Sequence, residues 1–243
     1  MLNVDGIHHR YGPESPASYT ALALADSYVG RLLDALEASG LRQQTSVFVV
    51  ADHGFAVATN VLYPNVLFRK LGLLELGATN QIAKARGQVV PEGGTGMIYF
   101  TEPQMTPTER SKVIAQLRAQ EGVADILGLD QFAALGLPSP EKNPGMADFV
   151  LVPRDGYAVG GGATGDAFVQ PVTGNINLGY HGYLASNARM NALFIAAGRG
   201  IKSGRKTGII DNLDVAPTIA HLLGTQLSGT DGKVITEILS DSH

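Results

Sequence analysis

Two hydrophobic periods alternate along the first part of the chain. Over residues 19–39, Leu22, Val29, Leu32, Leu33 and Leu36 recur at a spacing that puts them largely on one helix face. Gly40 follows where a helix end favours a left-handed residue. Residues 46–51 then read as a strand, with Val47, Phe48, Val49 and Val50 apolar on both faces. A helix followed by such a strand predicts a parallel sheet covered by helices. "PNVLFRKLGLLEL", residues 64–76, predicts a further helix.

The middle is less regular. "GMIYF" (96–100) predicts a strand. Thr106-Pro107-Thr108-Glu109 places a cap, a first-turn proline and a reciprocal glutamate in register, which predicts a helix over about 107–120. "ADFVLVPRDGYAV" reads as two strands around Asp155-Gly156, a hairpin signal, and Pro153 puts the first near a sheet edge. The opening pattern then returns: "NALFIAAG" predicts a strand and "DVAPTIAHLLG" a helix closed by Gly224. No linker rich in Pro, Gly or Ser cuts the chain, and no 20–50-residue repeat occurs. The expected architecture is one α/β domain over 1–243, a mostly parallel sheet flanked by helices. A smaller irregular α+β insertion is expected over 77–178.

Composition narrows the function. At 243 residues, 44% hydrophobic and 16% charged, the chain can bury a full core and is not disordered. Its net charge of -4, with no basic block, argues against nucleic acid as a partner. No apolar run approaches the roughly 20 residues that span a bilayer, and no basic-then-apolar signal segment opens the chain. The absence of cysteine removes disulfides, thiolate metal sites and cysteine nucleophiles together, and leaves the compartment open.

The chemistry gathers at histidine. "FVVADHGF" (48–55) ends an apolar strand in Asp52-His53-Gly54. Either the chain simply turns there, or the strand delivers two metal ligands to a sheet edge. In "VDGIHHRYGP", Asp5 and His9 stand four apart, so one helical turn puts carboxylate and imidazole on one face. His8 then points elsewhere. His181 lies between Gly179 and Gly182 in "GYHGY", neighbours that admit a metal as readily as an ordinary loop. His221, on the last helix, and the C-terminal His243 have ordinary structural readings. Together Asp5, His9, Asp52, His53 and His181 supply two carboxylates and three imidazoles. That set suits zinc, with manganese or iron as looser alternatives.

At these residues the chain resembles the type I phosphodiesterase/nucleotide pyrophosphatase family of the alkaline phosphatase superfamily. The resemblance runs in order through Asp5…His9-Arg10-Tyr11-Gly12-Pro13, Asp26 and Gly30, Ala51-Asp52-His53-Gly54-Phe55, His181-Gly182-Tyr183, "ALFIAAG" and "DNLDVAPTIAHLLG". It implies two zinc ions at the carboxyl edge of the sheet. Asp5, His9 and His181 would hold one, and Asp52 and His53 would help hold the other. It also implies two-metal phosphoryl transfer to a Thr or Ser nucleophile, with a small phosphodiester or nucleotide-like substrate. The family carries that nucleophile, and a further aspartate ligand, in an N-terminal part. Here only Met1-Leu2-Asn3-Val4 precede Asp5. The expectation is therefore a C-terminal portion without its nucleophile, inactive alone, with the strand before Asp5 reduced to a stub. Thr95 in "GGTGM" and Thr164 in "GGGATGD" are the local substitutes to weigh. The alternatives are a non-catalytic metal-binding fragment, or a sulfatase, phosphonate hydrolase or phosphomutase sharing the same ligands.

Overall fold

The computed structural model describes residues 2–174 and 177–240; His243 lies outside them. The chain begins with α1 (Leu2–Tyr11), α2 (Pro16–Ala38), β1 (Ser46–Val50), β2 (Ala56–Val57), β3 (Asn60–Leu62) and α3 (Pro64–Lys70). β4 (Leu74–Leu76), β5 (Ile82–Ala85), β6 (Gly87–Pro91), β7 (Gly96–Phe100), α4 (Pro107–Arg118) and β8 (Val123–Leu127) follow. The remainder is α5 (Leu129–Phe132), β9 (Phe149–Pro153), β10 (Tyr157–Val159), β11 (Val169–Pro171), β12 (Gly179–Tyr180), β13 (Phe194–Gly198) and α6 (Val215–Leu222). These elements form two compact units. One holds the chain up to Leu22 with Gly54–Asn191; the other holds Ala23–His53 and the chain from Ala192 on. No helix among the described residues is long and apolar enough to cross a membrane.

The first unit is built on a four-stranded antiparallel sheet in the order β6-β7-β9-β8. In β7, Gly96, Ile98 and Phe100 are buried while Met97 and Tyr99 are half-buried, the two-residue alternation of a strand. Ile98, Phe100, Leu117, Ile126 and Leu151 join Leu62 and Phe68 in one core cluster. Each such side chain contributes roughly 1.5–3 kcal/mol on leaving water. The edge strand β6 is closed by a side chain. Asn65, 1% exposed, donates from Nδ2 to the Val89 carbonyl and accepts the Val89 N–H at Oδ1, both at 2.8 Å. It takes the place of a neighbouring strand.

The second unit is smaller. β1 and β13 pair from Ser46↔Gly198 to Val50↔Phe194. Ile235, Ile238 and Leu239 form its small core, with Phe194, Ala196 and Leu222 packed against them. The buried Thr218 hydroxyl donates to the Asp214 carbonyl and accepts the Ile235 N–H, tying α6 to that C-terminal segment.

Several local expectations hold. α2 ends as expected: Gly40 has φ +70°, and the Leu41 N–H reaches back to the Leu36 carbonyl at 3.0 Å. Thr106 and Glu109 form the reciprocal cap of α4. Gly224 closes α6 at φ +69°.

Others are corrected. The sheet is not mostly parallel. The strands at 46–50 and 194–198 share a sheet but run antiparallel, and among the described residues the named parallel pair is β3 with β10. An apolar run reports that a strand is covered; it carries no information on the direction of its partner. The hairpin at Asp155-Gly156 does not close. β9 already has β7 and β8 on its two sides, so β10 pairs with β3 instead. For the same reason Pro153 marks the end of an inner strand, opposite Val123, rather than an edge. The helix from Pro64 stops at Lys70 because Gly72 takes φ +70° and the Leu73 N–H caps back on the Phe68 carbonyl; residues 74–76 are strand. Finally, the residues before and around Asp5 are the helix α1, not a strand stub.

Candidate metal centre

α1 sets the first two donors. Asp5 and His9, four residues apart on this helix, face the same way, with Asp5 Oδ1 3.7 Å from His9 Nε2. The helix ends two residues after His9, at Tyr11. The Gly12 N–H caps the His8 carbonyl at 2.9 Å, Gly12 has φ +79°, and the buried Ser18 hydroxyl holds the Gly12 carbonyl at 2.6 Å. The turn at Gly12-Pro13 is thus where the helix ends.

β12 brings in the third donor. It pairs with β2, Gly179 opposite Val57 and Tyr180 opposite Ala56, and delivers His181 directly after. His181 Nε2 lies 3.8 Å from Asp5 Oδ1, and its ring centroid is 4.9 Å from that of His9. One donor atom from each of Asp5, His9 and His181 falls within 4.8 Å of the others. Phe55 meets the rings of His8, His9 and His181 edge-on at 5.0–5.4 Å and forms an apolar wall behind them.

The donors are also oriented. His9 Nδ1 stands 2.9 Å from the Gly179 carbonyl oxygen. A carbonyl only accepts, so Nδ1 carries a proton, and Nε2 is the ring nitrogen turned toward Asp5 and available to a metal. This is how metal-binding imidazoles are commonly held. A Cβ at Gly179 would lie 2.2 Å from the His8 carbonyl oxygen, so glycine is what lets β12 lie against α1.

The donor set fits a zinc-like ion. Tetrahedral bonds of about 2.0–2.2 Å put neighbouring ligand atoms roughly 3.3–3.6 Å apart. The 3.7 and 3.8 Å separations from Asp5 need only a few tenths of contraction, and all three donors lie within 4.8 Å of one another.

The other two anticipated ligands form a pair of their own in the second unit. His53 Nε2 lies 3.7 Å from Asp52 Oδ2, and Asp52 Oδ1 accepts the His53 N–H at 3.2 Å. The Asp52 carboxylate is 89% exposed. The Asn212 side chain donates to the Asp52 carbonyl at 2.8 Å, an anchor in "DNLD" that sequence reasoning had not assigned. In the first unit, Gly54 packs so closely that a Cβ would sit 2.0 Å from the Arg189 carbonyl oxygen.

Three neighbours carry further information. His8 Nε2 is buried with no hydrogen-bond partner, and burial pulls the His8 pKa below its usual value, partly offset by Asp5. Burial pushes the Tyr183 hydroxyl up to about 12, and it donates to the Tyr157 carbonyl at 2.9 Å. The Thr95 hydroxyl is buried and donates to the Gly182 carbonyl at 2.8 Å.

A model of the type I phosphodiesterase / nucleotide pyrophosphatase family matches residues 2–184. The chain belongs to this family. Membership places it in the alkaline phosphatase superfamily. Alkaline phosphatase PafA of Elizabethkingia meningoseptica is 22% identical over 258 residues, which cover 98% of this chain and 45% of that protein. Human ectonucleotide pyrophosphatase/phosphodiesterase family member 7 is 21% identical, over 96% of this chain and 46% of its own length. Among solved structures, human ectonucleotide pyrophosphatase/phosphodiesterase 5 matches 98% of this chain and 56% of its own at a TM-score of 0.71 and 17% identity. An inactive form of the murine protein, in complex with AMP, matches at 0.70 and 19%, over 97% of this chain and 56% of its own. The fold is thus alkaline-phosphatase-like α/β. The chain spans about half the length of the curated relatives it matches.

Proposed function

We propose that this chain carries the zinc-binding part of a phosphodiester or pyrophosphate hydrolase. The observation that carries the reading is the convergence of Asp5, His9 and His181, with the His9 ring held at Nδ1 by Gly179. Asp5 Oδ, His9 Nε2 and His181 Nε2 would hold one ion. Asp52 and His53 are assigned to a second ion on the family resemblance. Bound zinc supplies charge stabilisation at a phosphoryl oxygen and, in a two-ion site, a clamp on the attacking and leaving oxygens.

The chain's own residues prepare that role. The Gly179 carbonyl holds the His9 ring by Nδ1, which leaves Nε2 as the nitrogen to meet an ion. Phe55 walls the imidazoles on one side with apolar surface, which strengthens electrostatic interactions there. Turnover by this chain alone is proposed to be slow. Thr95 spends its hydroxyl on Gly182, and Thr164 lies exposed in a loop whose Ala163 carbonyl is held by Arg69.

For the substrate we propose a small nucleotide-like phosphodiester, met by the 77–178 region. Support comes from the AMP held by the murine structural neighbour and from the bovine relative named as a bis(5'-adenosyl)-triphosphatase. The test is hydrolysis of an activated aryl phosphodiester with added zinc. Slow, zinc-dependent turnover lost in His181→Ala supports the reading. Preference for an aryl sulfate or phosphonate moves the chain to a sister chemistry. Zinc binding without turnover of any of these leaves a non-catalytic metal-binding chain.

A further inference from the structure

His181 is the triad member without a helix under it, so something else must fix where its ring points. The four residues between β6 and β7, Glu92-Gly93-Gly94-Thr95, touch its segment residue by residue. The Gly94 N–H donates to the His181 carbonyl at 2.7 Å. The Thr95 hydroxyl donates to the Gly182 carbonyl at 2.8 Å, across 87 residues of sequence.

Glycines make this approach possible from both sides. A Cβ on Gly93 would lie 2.8 Å from the His181 carbonyl oxygen, and one on Gly94 2.2 Å from the Tyr183 nitrogen. A Cβ on Gly182 would lie 1.9 Å from the Glu92 carbonyl oxygen, and Gly182 already holds φ +79°. The loop is itself braced. The Glu92 N–H bonds the Thr95 carbonyl at 2.9 Å, and the Val159 N–H bonds the Gly93 carbonyl at 2.7 Å. On the far side of the segment, Tyr183 is pinned by its hydroxyl to Tyr157.

We infer that the Glu92–Thr95 loop is a positioning device for the metal site, with Thr95 its directional contact. The inference rests on the metal reading above. Two successive carbonyls, those of His181 and Gly182, are held by one loop. With both fixed, the plane of the intervening peptide and the departure of the His181 side chain are fixed too. The loop does for His181 what Gly179 does for His9: it holds a ligand through groups that never touch the ion. Thr95→Val keeps the shape, deletes the donor and leaves the Gly182 carbonyl without its partner. Thr95→Ser keeps the donor.

The test is zinc affinity, measured by competition with a chromogenic chelator, beside thermal unfolding without metal. The variants are Thr95→Val, Thr95→Ser, His181→Ala and Ile126→Ala. Ile126 is fully buried on β8, outside this loop, and controls for lost stability alone. Thr95→Val should weaken zinc binding at least about tenfold, the lower range for loss of a supporting partner. Thr95→Ser should stay close to the unmodified chain, and Ile126→Ala should lower the unfolding temperature with little change in affinity. If Thr95→Val binds like the unmodified chain, or if Ile126→Ala weakens binding equally, the positioning role is wrong while the metal reading stands. If the unmodified chain shows no binding that depends on His181, the metal reading itself fails and takes this inference with it.

Discussion

The triad Asp5, His9, His181 and the pair Asp52, His53 are made of the same two side-chain types held in different ways. In the triad, the side chains are 27–45% exposed, His9 is locked by a backbone carbonyl, and glycine contacts brace the His181 segment. In the pair, Asp52 is 89% exposed and its carboxylate turns back on its own neighbour, His53. An exposed carboxylate must give up rotamer freedom when it binds, a cost of order 0.5–1.5 kcal/mol per side chain. The difference teaches that the same residue types at suggestive spacings can be held very differently, the Asp5 carboxylate half-covered and the Asp52 carboxylate open to solvent.

The largest expected effect tests that asymmetry directly. His181→Ala should lower affinity for the most tightly bound zinc by more than about 100-fold, beyond what the loss of a mere supporting partner costs. His53→Ala should leave that first ion within a few-fold and act on any weaker one. Zinc titrations that resolve both stoichiometry and affinity decide it; equal losses would erase the comparison.

Gly182→Ala comes next. The added Cβ meets the Glu92 carbonyl oxygen at 1.9 Å in a left-handed backbone, so about 2–3 kcal/mol of stability should go, together with tight zinc binding. Denaturant unfolding and the same titration measure the two losses. Asn65→Leu should cost a similar or slightly smaller amount, about 1–3 kcal/mol, by leaving the Val89 N–H and carbonyl buried without partners. Its zinc affinity should not change once folded, which separates support of the fold from support of the triad.

The smallest effect concerns pH. Burial holds the His8 pKa below its ordinary 6.5, so the folded chain resists a proton that the unfolded chain accepts. The neutral His8 therefore favours folding fully above 6.5, and that advantage is lost as pH falls through and below it. His8→Phe, still packed on Phe55, should show a shallower loss of stability between pH 7.5 and 5.5 in metal-free buffer. An identical slope in both proteins would remove His8 from the account.

Much of this was legible before any coordinates. The cap of α4, the glycine that ends α2 and the one that closes α6 are local events, written within a few residues of where they act. The i, i+4 spacing of Asp5 and His9 is likewise local, and the helix that realises it is there. Strand direction was not legible, because β1 and β13 lie far apart in sequence and their apolar residues suit either orientation. Nor was the support of the site. Gly179 serves His9 across 170 residues and Thr95 serves Gly182 across 87. Thr95 drew notice as a possible nucleophile because it sits in a glycine-rich turn. The same glycines are there to let the turn press against the His181 segment.

The central claim is that Asp5, His9 and His181 form one prepared metal site. The most direct measurement is an anomalous difference map at the zinc edge from crystals of this chain grown with zinc. The account predicts a peak about 2.0–2.2 Å from an Asp5 carboxylate oxygen, His9 Nε2 and His181 Nε2, with His9 Nδ1 still on the Gly179 carbonyl. A map with no peak among these three side chains, or with zinc bound through His9 Nδ1, would contradict it.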